Sequence, residues 1–314
     1  METREVKNAA IRVENLVKTF KDVRAVDGVS FAVEEGELFA FLGENGAGKS
    51  TSIAVICGLL QKDGGKVYVA GRDTDESDSA KSEIGVVFQS SVLDKALSAR
   101  DNLRSRAALY GIVGKAFQQR LCELDGLLAF GEFIDRPLGR LSGGQKRKID
   151  IARALVHHPK ILILDEPTTG LDPQTRKTVW EAVQKLRNEE KMTVFLTTHY
   201  MEEAAKADYV VILDRGKVAA EGTPHMLKNK YTGDFIVLYG VSREAVISAL
   251  GKEWLDKTAP FAGGVKIRVE NTAQATKLIV AYPRVFNDYE VLKGNMDDVF
   301  LAVTGKTLKK GVEQ

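Results

Sequence analysis

The stretch Gly43-Glu44-Asn45-Gly46-Ala47-Gly48-Lys49-Ser50 fits the pattern G-x-x-x-x-G-K-[ST] and lies between an apolar run, LFAFL, and a helical one, STSIAVICGLL. That setting constrains the fold, because such a loop works only where a buried strand ends and a helix begins. Its glycines let successive backbone N–H groups turn inward around a phosphate, and the helix behind points its positive end at the same place. Lys49 would supply a point charge for the outer phosphate oxygens and Ser50 a hydroxyl for Mg²⁺. A chain of ordinary composition meets this pattern by chance about 0.02 times. The bland alternative is a Gly-rich turn that holds no ligand.

From Ile11 to about Pro224 the short runs LFAFL, VYVA, IGVVF, ILIL, TVFLTT and YVVIL alternate with longer helical patterns, which predicts an α/β domain. ILIL and TVFLTT are apolar on both faces, as strands between two helix layers are. VYVA follows Asp63-Gly64-Gly65 and reads as part of a hairpin, so a mixed sheet is expected. Between about Ser90 and Arg140 strand signals vanish, while Leu103, Leu109, Phe117, Leu121, Leu124, Leu127 and Leu128 recur at helical spacing. This predicts an all-helical insert over about residues 90–140, its apolar stripe read as core before partner surface.

After Thr223-Pro224 the pattern restarts as β-α-β-β-α-β-α, a small α+β domain of ferredoxin-like type with Ser242 as a helix N-cap. The division is expected at residues 1–228 and 229–314. Phe300, Leu301 and Val303 either close that small domain or face the preceding domain or a second subunit, and Lys306, Lys309 and Lys310 read as a solvated end.

With 314 residues, 44% of them hydrophobic and 28% charged, the chain can bury a core without disulfides. Lys plus Arg number 45 against 43 Asp plus Glu, and a formal charge of +2 lacks the basic field of a nucleic-acid binder. No apolar run exceeds about five residues, against roughly 18 to 20 for a bilayer span, and the amino terminus has no apolar stretch of the signal-peptide kind. A water-soluble, cytosolic chain is expected. Cys57 and Cys122, without metal-ligand spacing, read as small buried hydrophobes.

Two further groups carry chemistry. Ile161-Leu162-Ile163-Leu164-Asp165-Glu166 puts two acids where a buried strand emerges, at the edge where open α/β sheets hold ligands. Asp165 is placed to hold Mg²⁺ through water and Glu166 to deprotonate an attacking water, although an isolated acid pair would merely solvate a strand end. Leu141-Ser142-Gly143-Gly144-Gln145 opens a helix, with Ser142 at the N-cap and Ile149, Ala152 and Val156 on one face. A helix start with two glycines and a hydroxyl is a second anion site.

With these motifs in order, the chain resembles the nucleotide-binding subunit of an ATP-binding cassette (ABC) transporter, from about Ile11 to Leu227. Gly43 to Thr51 resembles that family's Walker A, Gln89 its Q-loop, Ser142 to Gln145 its signature, Asp165-Glu166 the end of its Walker B, Asp172 its D-loop and His199 its switch histidine. The resemblance implies a P-loop NTPase-type sheet, ATP and Mg²⁺ as ligands, and catalysis by Lys49, Glu166 and His199. It implies that Gln89, with Ser50 and Asp165, meets the metal, and that Phe20 stacks on adenine, where a Tyr is commoner; a core role is the alternative for Phe20. His157 and His158, near a helix end, are assigned to the helix dipole. TGLDP and NMDDVFLAVTGK resemble bacterial exporters of drugs and polysaccharides.

The expected partners are a second cassette, identical or not, facing head to tail, and transmembrane permease subunits that would hold the chain at the inner face of the cell membrane. A soluble ABC ATPase acting on nucleic acid or ribosomes is the competing reading. The roughly 50 residues between Gln89 and Leu141 carry no heptads for a coiled coil, and each motif occurs once, which weighs against it. A regulator that binds nucleotide without hydrolysis is disfavoured by Glu166 and His199.

Overall fold

The structure, a computed structural model, describes residues 4, 6, 8–76, 78–261 and 263–305. It divides into two compact units, Met1–Glu221 and Gly222–Gln314. Residues 306, 309 and 310 lie outside the described residues.

The first unit opens with two twelve-residue strands, β1 (Ala9–Phe20) and β2 (Val23–Glu34), paired antiparallel. Neither was expected. Register shifts around Asn15 and Lys18 break the alternation by which a strand announces itself in sequence. Next come β3 (Leu38–Leu42), α1 (Lys49–Ile56), β4 (Gly64–Val69), the two-residue β5 (Arg72–Asp73), α2 (Asp78–Ser82) and β6 (Ile84–Val87). The β4–β5 hairpin turns at Ala70-Gly71, both at positive φ, and not at Asp63-Gly64-Gly65, where Asp63 instead receives the Lys18 ammonium and the Thr19 N–H.

The helical insert is built from α3 (Ala99–Ala108) and α4 (Gly114–Leu128), and α5 (Gly143–Leu155) comes after it. Ser98 and Ser142 cap α3 and α5. Leu103, Phe117, Leu121, Leu124 and Leu128 are buried as their spacing requires. Leu109 falls just beyond α3 and is exposed, and Cys122 is exposed as well, so neither belongs to the expected core. Cys57 is partly buried as a residue, and the burial of its sulfur, with the Asp165 charge, pushes the thiol up to about 12.

The remaining elements are β7 (Ile161–Asp165), α6 (Pro173–Glu190), β8 (Thr193–Thr198), α7 (Met201–Ala204), β9 (Tyr209–Asp214) and β10 (Lys217–Gly222). Strands run β10-β9-β3-β8-β7-β6 in one six-stranded sheet and β2-β1-β4-β5 in a four-stranded one. β3, β7 and β8 are buried along their whole length. One core fills the space between the sheets, where Phe31 of β2 meets Phe39, Phe41 and Phe195 at ring separations of 4.9 to 5.8 Å. Rings this deeply buried stabilise the unit by about 3–5 kcal/mol each against truncation to Ala. β6, β7, β8 and β3 are mutually parallel, so the chain leaves all four at one edge. That edge carries the chemistry.

The second unit begins with α8 (Pro224–Tyr231), so the division falls seven residues before the expected 228 and α8 joins the carboxyl-terminal unit. Thereafter come β11 (Asp234–Tyr239), α9 (Arg243–Leu250), β12 (Thr258–Phe261), β13 (Gly264–Val269), α10 (Thr272–Ala281), β14 (Tyr289–Lys293) and α11 (Met296–Thr304). The sheet order β12-β13-β11-β14, antiparallel throughout, is that of a ferredoxin-like split β-α-β fold. Ile236 and Leu238 pack with Val246, Leu250, Ala275 and Leu278 on one face of the sheet, and Phe300 of α11 is buried while Leu301 is exposed.

Candidate active site

The loop Gly43 to Gly48 leaves β3 and enters α1, whose first residue is Lys49. Gly48 sits at φ 103, and a Cβ there would lie 2.5 Å from the Ala25 carbonyl oxygen, so only glycine makes this turn. Ala47 and Gly48 are buried, Asn45 and Gly46 are exposed, and Ser50 and Thr51 lie in the first turn of the helix. Lys49, only 4% exposed, donates to the Gly43 carbonyl at 2.7 Å and the Glu44 carbonyl at 3.1 Å, and its ammonium lies 3.3 Å from Glu166 Oε1. Burial lowers the pKa of Lys49, and Glu166 opposes that shift.

Asp165 ends β7 and is buried, accepting from Thr197 Oγ1 at 2.5 Å and Ser50 Oγ at 3.3 Å. Parallel pairing of β7 with β8 sets Asp165 beside Thr197, which positions that hydroxyl. Glu166 follows at φ 45, an uncommon conformation for a residue with a side chain. Its N–H donates to the Thr197 hydroxyl at 3.0 Å, so the strand is abandoned and the carboxylate swings towards Lys49. Around it stand His199 Nδ1 at 3.3 Å, Gln89 Nε2 at 3.4 Å and Thr169 Oγ1 at 3.1 Å. His199, then Lys49 and Thr169, outweigh burial and hold the Glu166 carboxyl at about 2.

Four expected residues therefore converge: Lys49, Gln89 and His199 share the carboxylate of Glu166, with Ser50 and Asp165 alongside. Ser50 and Asp165 oxygens form the hard donor pair that suits Mg²⁺, which needs only one or two protein ligands when phosphates supply others. Ser142, Gly143, Gly144, Gln145 and Asp172 do not join this group; among the described residues their side-chain bonds are local. Ser142 and Gln145 form a reciprocal capping box on α5, and Asp172 caps α6 through Thr175. Gly144 lies so close to Thr175 that a Cβ would come within 2.9 Å of its methyl, which keeps the two helix starts side by side. Phe20 is 46% exposed at the end of β1, with the Lys18 ammonium 5.6 Å from its ring centre, so it is not core.

His157 departs from its expected role. Burial drops its pKa to about 4, so its ring is neutral, stacked on Tyr110 at 4.2 Å and bonded to the Ile84 carbonyl. A neutral ring gains nothing from the helix dipole.

Two buried side chains beside the site were not foreseen. Arg147 of α5 donates to the carbonyls of Phe88 and Pro167, and Glu203 of α7 accepts from Thr168, Trp180 and Thr198. Each is an ionisable group on the apolar side of a helix, and that misfit is the signal a sequence offers for them.

A family model described as "ABC transporter" matches residues 26–169. The daunorubicin/doxorubicin resistance ATP-binding protein DrrA of Streptomyces peucetius is 36% identical over 308 residues, covering 94% of this chain and 92% of that protein. The Nod factor export ATP-binding protein I of Sinorhizobium fredii is 34% identical over 98% of this chain and 89% of its own length. The linearmycin resistance ATP-binding protein LnrL of Bacillus subtilis is 34% identical over 95% and 99% respectively. Among solved structures, the dimeric post-hydrolysis state of the ATP-binding cassette MJ0796, bound to ADP and Pi, superposes with a TM-score of 0.62 at 29% identity, covering 68% of this chain and 98% of that one.

Proposed function

The chain belongs to the ABC transporter family, and from that membership we propose that it drives a separate membrane-embedded exporter of drug, lipid or polysaccharide-like cargo. It is an ATP-binding, ATP-hydrolysing subunit of the exporter type. No described helix is long and apolar enough to cross a membrane, and the relatives similar to it along nearly its whole length are named for drug resistance and Nod factor export.

In this reading Lys49 holds the outer phosphate oxygens, the loop Gly43 to Thr51 wraps the phosphates with backbone N–H groups, and Phe20 offers its exposed ring to the base. Ser50, Asp165 and Gln89 would hold Mg²⁺, which when bound neutralises phosphate charge. Glu166 accepts the proton of the attacking water, and His199 keeps that carboxylate and the water in line. The observation that carries the reading is the convergence of Lys49, Gln89 and His199 on Glu166.

Ser142 to Gln145 and Asp172 would complete the site of a second cassette. Among the described residues their helix starts bond only locally, and the solved cassette that this one resembles is dimeric. A groove of about 290 Å³ beside the Gln89 segment, lined by Leu59, Phe88, Tyr110 and Arg153, is the surface for a permease loop; Leu59 there is 65% exposed. Such a partner would place the chain at the inner face of the membrane.

Purified protein should hydrolyse ATP only with Mg²⁺ present, and Lys49→Ala should weaken nucleotide binding. Equal nucleotide affinity in Lys49→Ala would contradict the assignment of this loop.

A further inference from the structure

Helix α5 does more than present Ser142. One turn in, Arg147 is 6% exposed and makes no ion pair among the described residues. Its acceptors are backbone carbonyls: Nη1 donates to Phe88 O at 2.7 Å, Nε to Pro167 O at 2.8 Å, and Nη2 lies 3.5 Å from Glu166 O. Phe88 immediately precedes Gln89, and the other two carbonyls belong to the Glu166-Pro167 turn. One rigid guanidinium therefore spans the ends of β6 and β7 at the points where Gln89 and Glu166 leave them. A further turn along α5, buried Asp150 accepts Ser91 Oγ at 2.9 Å, so the same helix grips the Gln89 segment on both sides.

Burying a guanidinium costs free energy, and carbonyl acceptors offset less of that cost than a carboxylate would. A planar fork of donors suits this position for a geometric reason: it sets the separation of two segments, which a lysine point charge cannot do. The separation concerned is that between Gln89 Nε2 and Glu166 Oε2, 3.4 Å.

We propose that Arg147 is a positioning residue for ATP hydrolysis, fixing Gln89 against Glu166 by clasping the carbonyls beside each. It thereby ties that pair to the helix that begins at Ser142. The proposal rests on the roles given above to Gln89 and Glu166.

The test is a double-substitution cycle on the full chain, with ATP turnover and ATP affinity measured for Arg147→Lys, Gln89→Ala and both together. Misplacement by about 1 Å lowers turnover by about 10²-fold, so Arg147→Lys should lose about 10- to 100-fold with affinity kept within about twofold. In the Gln89→Ala background the same change should cost less than about threefold, because the Gln89–Glu166 contact that Arg147 is proposed to set is already gone. A full multiplicative loss in that background overturns the proposal while leaving the roles of Gln89 and Glu166 standing. Unaltered turnover in Gln89→Ala alone overturns both the role of Gln89 and the proposal. If Arg147→Lys does not fold, Ser91→Ala loosens the same segment from its exposed side. It should lose about three- to tenfold in the native background and nothing in Gln89→Ala, and equal losses in the two backgrounds reject the proposal.

Discussion

The ammonium of Lys49 lies 3.3 Å from Glu166 Oε1, and both side chains are more than nine-tenths buried. Each offsets part of the other's burial. Lys49 is also shared with the carbonyls of Gly43 and Glu44, so phosphate oxygens entering the loop compete for a donor already in place. The pairing links the binding loop of β3 to the acid just beyond β7.

This pairing has a pH signature. The Glu166 carboxyl is held at about 2 against an ordinary 4.5, so the folded state binds that proton less readily than the unfolded chain. The stabilisation is therefore complete above about pH 4.5 and is lost as pH falls towards 2. Urea midpoints at pH 7 and pH 3 should show a larger acid loss in the native chain than in Glu166→Gln. Equal losses would mean that the carboxylate is not held by His199 and Lys49.

Glu203 makes a second testable site. It accepts from Thr168, Trp180 and Thr198, so Glu203→Ala strands three buried donors, each at a cost on the order of 1–3 kcal/mol. Thr198 precedes His199, and Thr168 lies two residues beyond Glu166. The urea midpoint should fall markedly, and a change below about 0.5 kcal/mol would show that these donors find other partners.

The second unit is expected to adjust the first, not to complete its active site. All the converging side chains lie at or before His199, and the ferredoxin-like unit has its own core. A chain ending at Glu221 should fold and bind ATP, with altered dimerisation or turnover. Cooperative melting without ATP binding in that truncated chain would place part of the nucleotide site beyond residue 221.

The range of each interaction decides how much of this site is legible in the sequence. Gly43 to Ser50, Asp165, Glu166 and the capping box at Ser142 are local in the chain, so spacing alone announces them. β1 and β2 were missed because their register shifts erase the alternation on which strand reading depends. The turn in VYVA was misplaced because Asp63-Gly64-Gly65 has hairpin composition, yet Asp63 is engaged by Lys18 and Thr19. Arg147 and Glu203 offer only the weak signal of a charge on an apolar helix face, because their partners lie 19 to 59 residues away for Arg147 and up to 35 for Glu203. Only the fold brings them together.

Catalysis between two copies can be tested by mixing. Lys49→Ala damages the phosphate loop and Ser142→Arg the signature helix, and each variant alone should be nearly inactive. A mixed dimer contains one site with both intact halves, so mixing should restore ATPase activity. No recovery at concentrations where native chains dimerise with ATP would contradict the head-to-tail arrangement.

The most direct measurement is steady-state ATP turnover of Glu166→Gln beside its ATP affinity. The amide keeps the shape of the side chain at φ 45 but cannot accept the proton of water. Turnover should fall by about 10² to 10⁴ while affinity stays within about twofold. Turnover equal to that of the native chain would contradict the assignment of Glu166 as the base and, with it, the account of how this site hydrolyses ATP.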